Sequence, residues 1–419
     1  MGRQGKRAYL PRACGAVITM EPQLEMKILI LCLYYPPDID PGAFRTKALV
    51  HQLRERHGNR VHITVVSSTP NRYKTLNVTT DTGADDDQDE DTIHRIPMNT
   101  HNSGMLDQAL AYRHYFVGAR KLARNGQFNI VYATSSRLMT SFLGARIAAR
   151  HGIPFFLDIR DLFVDTMQSL LRGRLLRMVL PIFDAIERYT FSRTNYVSSV
   201  SEAFIPYLKR RGVRSEIGFF PNGIDDMFIK QPSENEEKLA KKKLLVYVGN
   251  IGDGQGLDRI LPETAKATEH IWDFLIVGYG GAIGKLKERI RDLHVTNITF
   301  RDPVPRNRVP EIYAEADALF LHLNNVPAFE RVIPSKIFEY AASLKPIVAG
   351  LSGYPAKFLK TNVPDALVFD PCAVNQLTRI LTDSDLRVCE RSEFIQAYRR
   401  VLIMGSLADK IVETGAVRK

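Results

Sequence analysis

The chain has 419 residues, 45% hydrophobic and 25% charged, the composition of a folded protein with room for two or three domains. Its formal charge is +11 although residues 81–91 (DTGADDDQDED) read as an acidic solvated loop, so the remainder is more basic still and points to an anionic partner. The best apolar run, ILILCLYY, is strand-sized and excludes a membrane span, while four scattered cysteines without C-x-x-C spacing and dispersed histidines exclude a zinc site and suit reduced thiols in a cytosolic protein.

Residues 1–25 are basic, aperiodic and without the apolar core of a secretory signal; they read as a disordered extension or as sequence upstream of a start at Met26. MKILILCLYYPP then predicts a buried strand ending in a proline-marked loop, AFRTKALVHQLRER a helix and VHITVVSS a second strand. After the acidic loop come a helix over 106–125, the strand NIVYAT, a helix over 141–151 and the strand PFFLDI. In FFLDIRDLFVD, Asp158 reads as a loop-capping residue beside a surface arginine, and Asp161 as the functional candidate, since ligands of an open parallel sheet lie beyond the carboxyl ends of its strands. LLRGRLLRMVLPIFDAIERY (170–189) predicts a basic amphipathic helix; it suits an anionic membrane surface through Arg172, Arg174 and Arg177, or equally a domain-packing helix with a solvated cationic face.

The polar stretch QPSENEEKLAKKK predicts a linker over 229–243 between a first domain, 26–228, and a second, 244–392, followed by a helical segment, 393–419, that crosses back to the first. In the second domain LLVYVGN, WDFLIVGYGG, NITF, ADALFLHL and KPIVAG predict strands with helices between, one of them around LDRILPETAKA. Alternating strands and helices in both halves predict two α/β domains with doubly wound parallel sheets and a ligand in the cleft between them.

Three glycine-bearing turns, DPGAFR, GNIGDGQG and GYGG, would bring backbone close to a phosphate at a helix start, although a tight turn alone also asks for glycine. None is a P-loop, and GNIGDGQG is a poor dinucleotide fingerprint. In VIPSKIFEYAASLKPIVAG, Pro334 and Ser335 predict a helix start capped by Ser335, with Ile337, Phe338, Ala341 and Leu344 as the buried stripe and Lys336 and Glu339 on another face. A lysine is disfavoured at a helix N-terminus, so the pair is either a solvated ion pair or a site where Lys336 meets an anion and Glu339 accepts from sugar hydroxyls.

Five stretches, MKILILCLYYPPDIDPGAFR, DIRDLF, FPNGID, YVGNIGDGQGLD and IPSKIFEYAASLKPIVAG, carry a resemblance in order and content to the family-4 retaining glycosyltransferases of the GT-B fold, in particular those assembling bacterial O-antigen and capsule. The resemblance implies two Rossmann-like domains facing a cleft. It implies that Glu339 holds the donor ribose, that Lys336 lies by the donor diphosphate, and that Gly42, Asn250 and Gly252 line the donor site. The chain departs from the family where Arg331 stands eight positions before the ribose glutamate in place of a second glutamate, and where Ser135 and Ser136 stand in place of a histidine.

The expected function is transfer of a sugar, such as an N-acetylated amino sugar, from a UDP-sugar to a polyprenyl-diphosphate-linked acceptor, with no metal or other cofactor, at the inner face of the cell membrane. Asp161, Arg331 and Lys336 are the catalytic candidates, the two cations for charge stabilisation. A sugar-nucleotide epimerase, or a catalytically degenerate binding or scaffold protein, remain alternatives; nucleic-acid binding lacks a recognition motif.

Overall fold

The computed structural model describes residues 25–38, 40–69, 92–97, 105–135, 137–170, 174–229 and 242–417, with the backbone alone for 105–111, 170 and 174–177. Residues 1–24, the 81–91 stretch, Ser136, Arg172 and residues 230–241 of the expected linker lie outside the described residues. Those described form two parallel sheets.

The first sheet contains β1 (Met26–Leu31), β2 (Val61–Ser68), β3 (Thr92–Ile96), β4 (Ile130–Thr134), β5 (Phe155–Ile159), β6 (Tyr196–Ser199) and β7 (Glu216–Phe219), in the order β3-β2-β1-β4-β5-β6-β7. β1 reads MKILIL because it lies mid-sheet with helices over both faces: Leu29 and Leu31 enter one core, and Ile28 and Ile30 the other.

The second sheet contains β8 (Lys243–Val248), β9 (Trp272–Val277), β10 (Ile298–Arg301), β11 (Ala318–His322), β12 (Ile347–Gly350) and β13 (Leu367–Phe369), in the order β10-β9-β8-β11-β12-β13. The expectation of two Rossmann-like domains is met. In each sheet the chain direction of travel reverses beside the first strand, between β1 and β4 and between β8 and β11, which opens a crevice at the carboxyl ends.

The helix Arg400–Ala416 lies on the first sheet's flank, where Met404, Leu407, Ala408 and Ile411 complete the core of Ile28, Ile30, Leu49 and Leu53. Arg56, on the helix Pro41–His57, pairs there with Asp409.

Several sequence expectations need correction. The sequence reading places no strand at β3, β6, β7 or β13, which are 3 to 5 residues long. The helix expected over 170–189 is present as Arg174–Ser192, and a separate helix that the sequence reading does not place, Phe163–Leu170, comes before it. LDRILPETAKA divides at Ile260, which is at φ −133°, into a 3-10 turn, Leu257–Arg259, and a helix, Leu261–Ala267, whose first turn holds the proline at 262.

Candidate active site

On the second domain the helix Lys336–Ala342 follows Pro334 and Ser335. Ile337, Phe338 and Ala341 are buried as expected, but Ser335 makes no side-chain cap, and Leu344 lies past the helix end with φ of 52°. Glu339 is not on a solvated face: it is 8% exposed. Its Oε1 accepts from Arg306 Nη2 at 2.9 Å and its Oε2 from the Tyr313 hydroxyl at 3.0 Å. Arg306 also pairs with Asp225 and lies 4.5 Å from the ring centroid of Phe44, on the first domain's helix Pro41–His57. Burial opposes the Arg306 charge, but Glu339 and Asp225 outweigh it and raise its pKa. A carboxylate of the second domain, Asp225 after β7 and a helix of the first domain thus meet at one guanidinium.

Lys336 is half-buried, its Nζ 5.6 Å from the Tyr247 ring centroid, and it has no ion-pair partner among the described residues. Burial pushes its pKa down, with Glu339 opposing. The ammonium lies against Gly249, where a Cβ would come within 2.4 Å of Nζ and where φ is +146°; only glycine fits there. Gly249 opens the loop 249–256 after β8. This loop is stacked on the turn after β9: a Cβ on Gly278 would lie 1.9 Å from the Gly249 carbonyl oxygen. Asn250 Nδ2 and the Gly252 N–H both donate to Gln255 Oε1, at 3.0 and 3.1 Å, so two donors converge on one oxygen.

On the first domain, Gly42 is in the opening turn of Pro41–His57, where Asp40 accepts from its N–H at 2.7 Å. A Cβ on Gly42 would lie 2.0 Å from Arg160 Nη1, so the missing side chain lets a guanidinium lie over the helix start. Arg160 Nε has no hydrogen-bond partner among the described residues. Ser135, in the histidine position of the family pattern, accepts through Oγ from the Arg160 N–H at 2.7 Å and the Asp161 N–H at 3.4 Å, and so pins the loop after β5. The Asp161 side chain is exposed at that loop.

Asp158 is neither a loop residue nor beside a surface arginine. It lies on β5, fully buried, and accepts from Arg45 Nε and Nη2, each at 3.0 Å, and from Ser198 Oγ at 2.6 Å. Burial opposes its ionised form, but Arg45 outweighs this and lowers its pKa.

Arg331 bridges the domains: it pairs with Asp165 on the helix Phe163–Leu170, and its carbonyl accepts from Ser201 Oγ at 2.6 Å. The structure therefore gathers Lys336, Glu339 and loop 249–256 on the second domain and Gly42 and Arg160 on the first, the two linked by Arg306 between Glu339 and Phe44, while Asp161 neighbours Arg160 and Arg331 is taken up by Asp165. Of the membrane-facing candidates, Arg174 and Arg177 are described only as backbone of the helix Arg174–Ser192.

Sequence reasoning missed Arg45, Asp225, Arg306 and Arg400 as site residues. Arg400, 5% exposed, pairs with Asp225, and burial lowers its pKa to about 10. Arg45 and Asp225 lie in the motifs DPGAFR and FPNGID and could have been singled out; Arg306 and Arg400 belong to no motif among 57 lysines and arginines. Among the described residues no cluster of His, Cys, Asp or Glu is arranged to hold a metal ion, and no helix is long and apolar enough to cross a membrane.

Residues 42–223 match the family described as a glycosyl transferase 4-like domain, and residues 229–398 that described as glycosyl transferases group 1. The Escherichia coli (strain K12) protein WcaI, named for a glycosyl transferase role in colanic acid biosynthesis, is 26% identical over 221 residues, 50% of this chain and 52% of that protein. The chain thus matches about half the length of this relative. Among solved structures, sucrose-phosphate synthase from Thermosynechococcus elongatus aligns with a TM-score of 0.71 at 15% identity, over 93% of this chain and 99% of that one. Anabaena HepE, in complex with UDP and glucose, gives 0.65 at 15% identity over 93% and 100%. WaaG, a glycosyltransferase involved in lipopolysaccharide biosynthesis, gives 0.65 at 17% identity over 92% and 99%. These likenesses establish the fold. With a glycosyltransferase family model matching each of its two parallel-sheet domains, the chain belongs to the glycosyltransferases of the GT-B type.

Proposed function

We propose that the protein transfers a sugar, with retention, from a UDP-sugar to a lipid-linked saccharide acceptor in the assembly of a bacterial cell-surface polysaccharide. The observation that carries this reading is the cleft itself: an ammonium without an ion-pair partner among the described residues, beside a glycine loop and next to a buried glutamate, with a helix start covered by a guanidinium on the other domain. A departing diphosphate carries charge that Lys336, Arg160 and backbone N–H groups would stabilise, and the two domains would hold donor and acceptor in register. Glu339 offers carboxylate oxygens to ribose hydroxyls. The UDP held by HepE and the polysaccharide roles in the names of WaaG and WcaI support the same substrate class.

The deciding experiment incubates the full chain with a panel of UDP-sugars and a bacterial membrane extract, read by mass spectrometry. A sugar added to a lipid-linked saccharide supports the reading. An epimerised free nucleotide sugar would assign an epimerase instead, and UDP binding without turnover a binding subunit. Within an active preparation, Lys336→Ala is expected to lower kcat by about 100-fold, the scale of losing one charge-stabilising contact. Its denaturation midpoint should be close to wild type; an unaltered rate at saturating donor would remove Lys336 from the mechanism.

The acceptor's lipid places the reaction at a membrane surface, and the helix Arg174–Ser192 supports this by leaving Met178 74% and Ile182 60% exposed. Anionic head groups attract each well-placed cation by about 1 kcal/mol. Wild type is expected to co-sediment with phosphatidylglycerol-containing vesicles at low salt, and the triple change Arg172→Glu, Arg174→Glu and Arg177→Glu to reduce this while UDP affinity is kept. Equal sedimentation of the two would make this a packing helix.

A further inference from the structure

We propose that His322 and Asn324, at the carboxyl end of β11, are positioning residues that hold loop 249–256 in the shape that receives the donor's diphosphate. The inference rests on the transferase reading above.

Three consecutive carbonyls of the loop are drawn towards β11. Asp253 O accepts from Asn324 Nδ2 at 2.9 Å, Gly254 O from the Asn324 N–H at 2.9 Å, and Gln255 O from His322 Nδ1 at 2.5 Å. A carbonyl can only accept and an amide N–H can only donate, so the hydrogen bonds fix the imidazole tautomer. Nδ1 carries the proton, and Nε2 accepts from the Cys372 N–H at 2.9 Å. One neutral ring thereby ties the loop after β8 to the loop after β13. Burial holds it neutral by pushing its pKa down to about 4.

The ring has no room to shift. His322 is 0% exposed and lies nearly parallel to Phe320 and Phe369, with centroids 6.1 and 6.2 Å away. A Cβ on Gly350 would stand 2.3 Å from its Cδ2. Gly256, at φ +58°, brings the end of the loop against Asn324, where a Cβ would lie 3.0 Å from Cγ.

With its carbonyls drawn to β11, the loop leaves Asn250 Nδ2 and the Gly252 N–H converging on the Gln255 carboxamide oxygen. A diphosphate oxygen can replace that oxygen as their acceptor. β11 also borders β8 where the strand order reverses, the place where an open parallel sheet receives its ligand.

The test uses the full chain and calorimetric titration of UDP and of uridine, which shares the base and ribose but lacks the phosphates. His322→Phe preserves the ring stacking and removes both hydrogen bonds. It is expected to weaken UDP by about tenfold, the scale of losing one to two hydrogen bonds, with uridine changed far less. His322→Asn, which restores an N–H near the Nδ1 position, should recover most of that loss. Asn324→Ala, at a half-buried position, supplies a second variant should His322→Phe fail to fold, with a loss of a few-fold confined to UDP. Wild-type UDP affinity in these variants, or an equal loss for UDP and uridine, would reduce His322 to a core residue and overturn the proposal. If wild type binds neither UDP, GDP nor ADP, the transferase reading itself falls and takes this inference with it.

Discussion

Replacing Glu339 by alanine is expected to weaken UDP binding by about 10- to 100-fold, the effect of removing charge-assisted hydrogen bonds worth about 1.5–3 kcal/mol. The structure adds a cost that an exposed position would not carry. Tyr313 is buried and donates its hydroxyl to Glu339, so the alanine variant leaves that hydroxyl without its acceptor at about 1–3 kcal/mol of stability. Arg306 is not orphaned, because Asp225 continues to pair with it. Glu339→Gln keeps an acceptor for Tyr313, so its stability loss should be smaller while its UDP affinity still falls. Calorimetric titration of UDP into both variants, beside their urea midpoints, separates the two effects. Wild-type UDP affinity in Glu339→Ala would remove the ribose assignment.

The largest stability effect is expected at Asp158. Asp158→Ala strands the Arg45 guanidinium, 1% exposed, in the core between β5 and the helix Pro41–His57, where the Pro221 carbonyl still accepts from it at 2.8 Å but no carboxylate remains among its described partners. Breaking a buried pair from one side costs about 3–5 kcal/mol, whereas replacing both partners by apolar residues of similar volume is often close to neutral. Urea denaturation should therefore show a deep loss for Asp158→Ala and much of it recovered in Arg45→Met combined with Asp158→Leu. A single-variant loss below about 1 kcal/mol would mean that water reaches the pair and that it is not the buried bridge described.

The fold was legible where physics is local and repeated. β1, β8 and β11 lie mid-sheet, apolar on both faces, and announce themselves as short unbroken runs. β7 and β13, edge strands of four and three residues, are passed over, although β10, an edge strand of the same length as β7, is signalled by NITF, so shortness alone does not decide which strands are legible. At the site, Lys336 drew notice because a cation at a helix start contradicts the helix dipole. Glu339 was identified by its residue type and motif, but its burial was misjudged. Its position reads as exposed unless Arg306 and Tyr313, 33 and 26 positions away, are known to close over it. Asp158 reads as a minor cap for the same reason: its partner is 113 residues distant, and one sequence does not reveal which arginine a buried aspartate meets.

The helix Arg400–Ala416 has a consequence for how the protein is made. Arg56 and Asp409, which join across it, are 353 positions apart. At about 5–20 residues per second, a ribosome takes roughly 20–70 s to cover that distance. Throughout that time Leu49, Leu53 and the neighbouring strand residues have no cover from Met404, Leu407 and Ile411. The nascent first half therefore carries an open apolar flank, the kind of surface that chaperones hold and that aggregates when they do not. Cutting the chain between its two sheets to obtain the first domain alone would make that temporary exposure permanent.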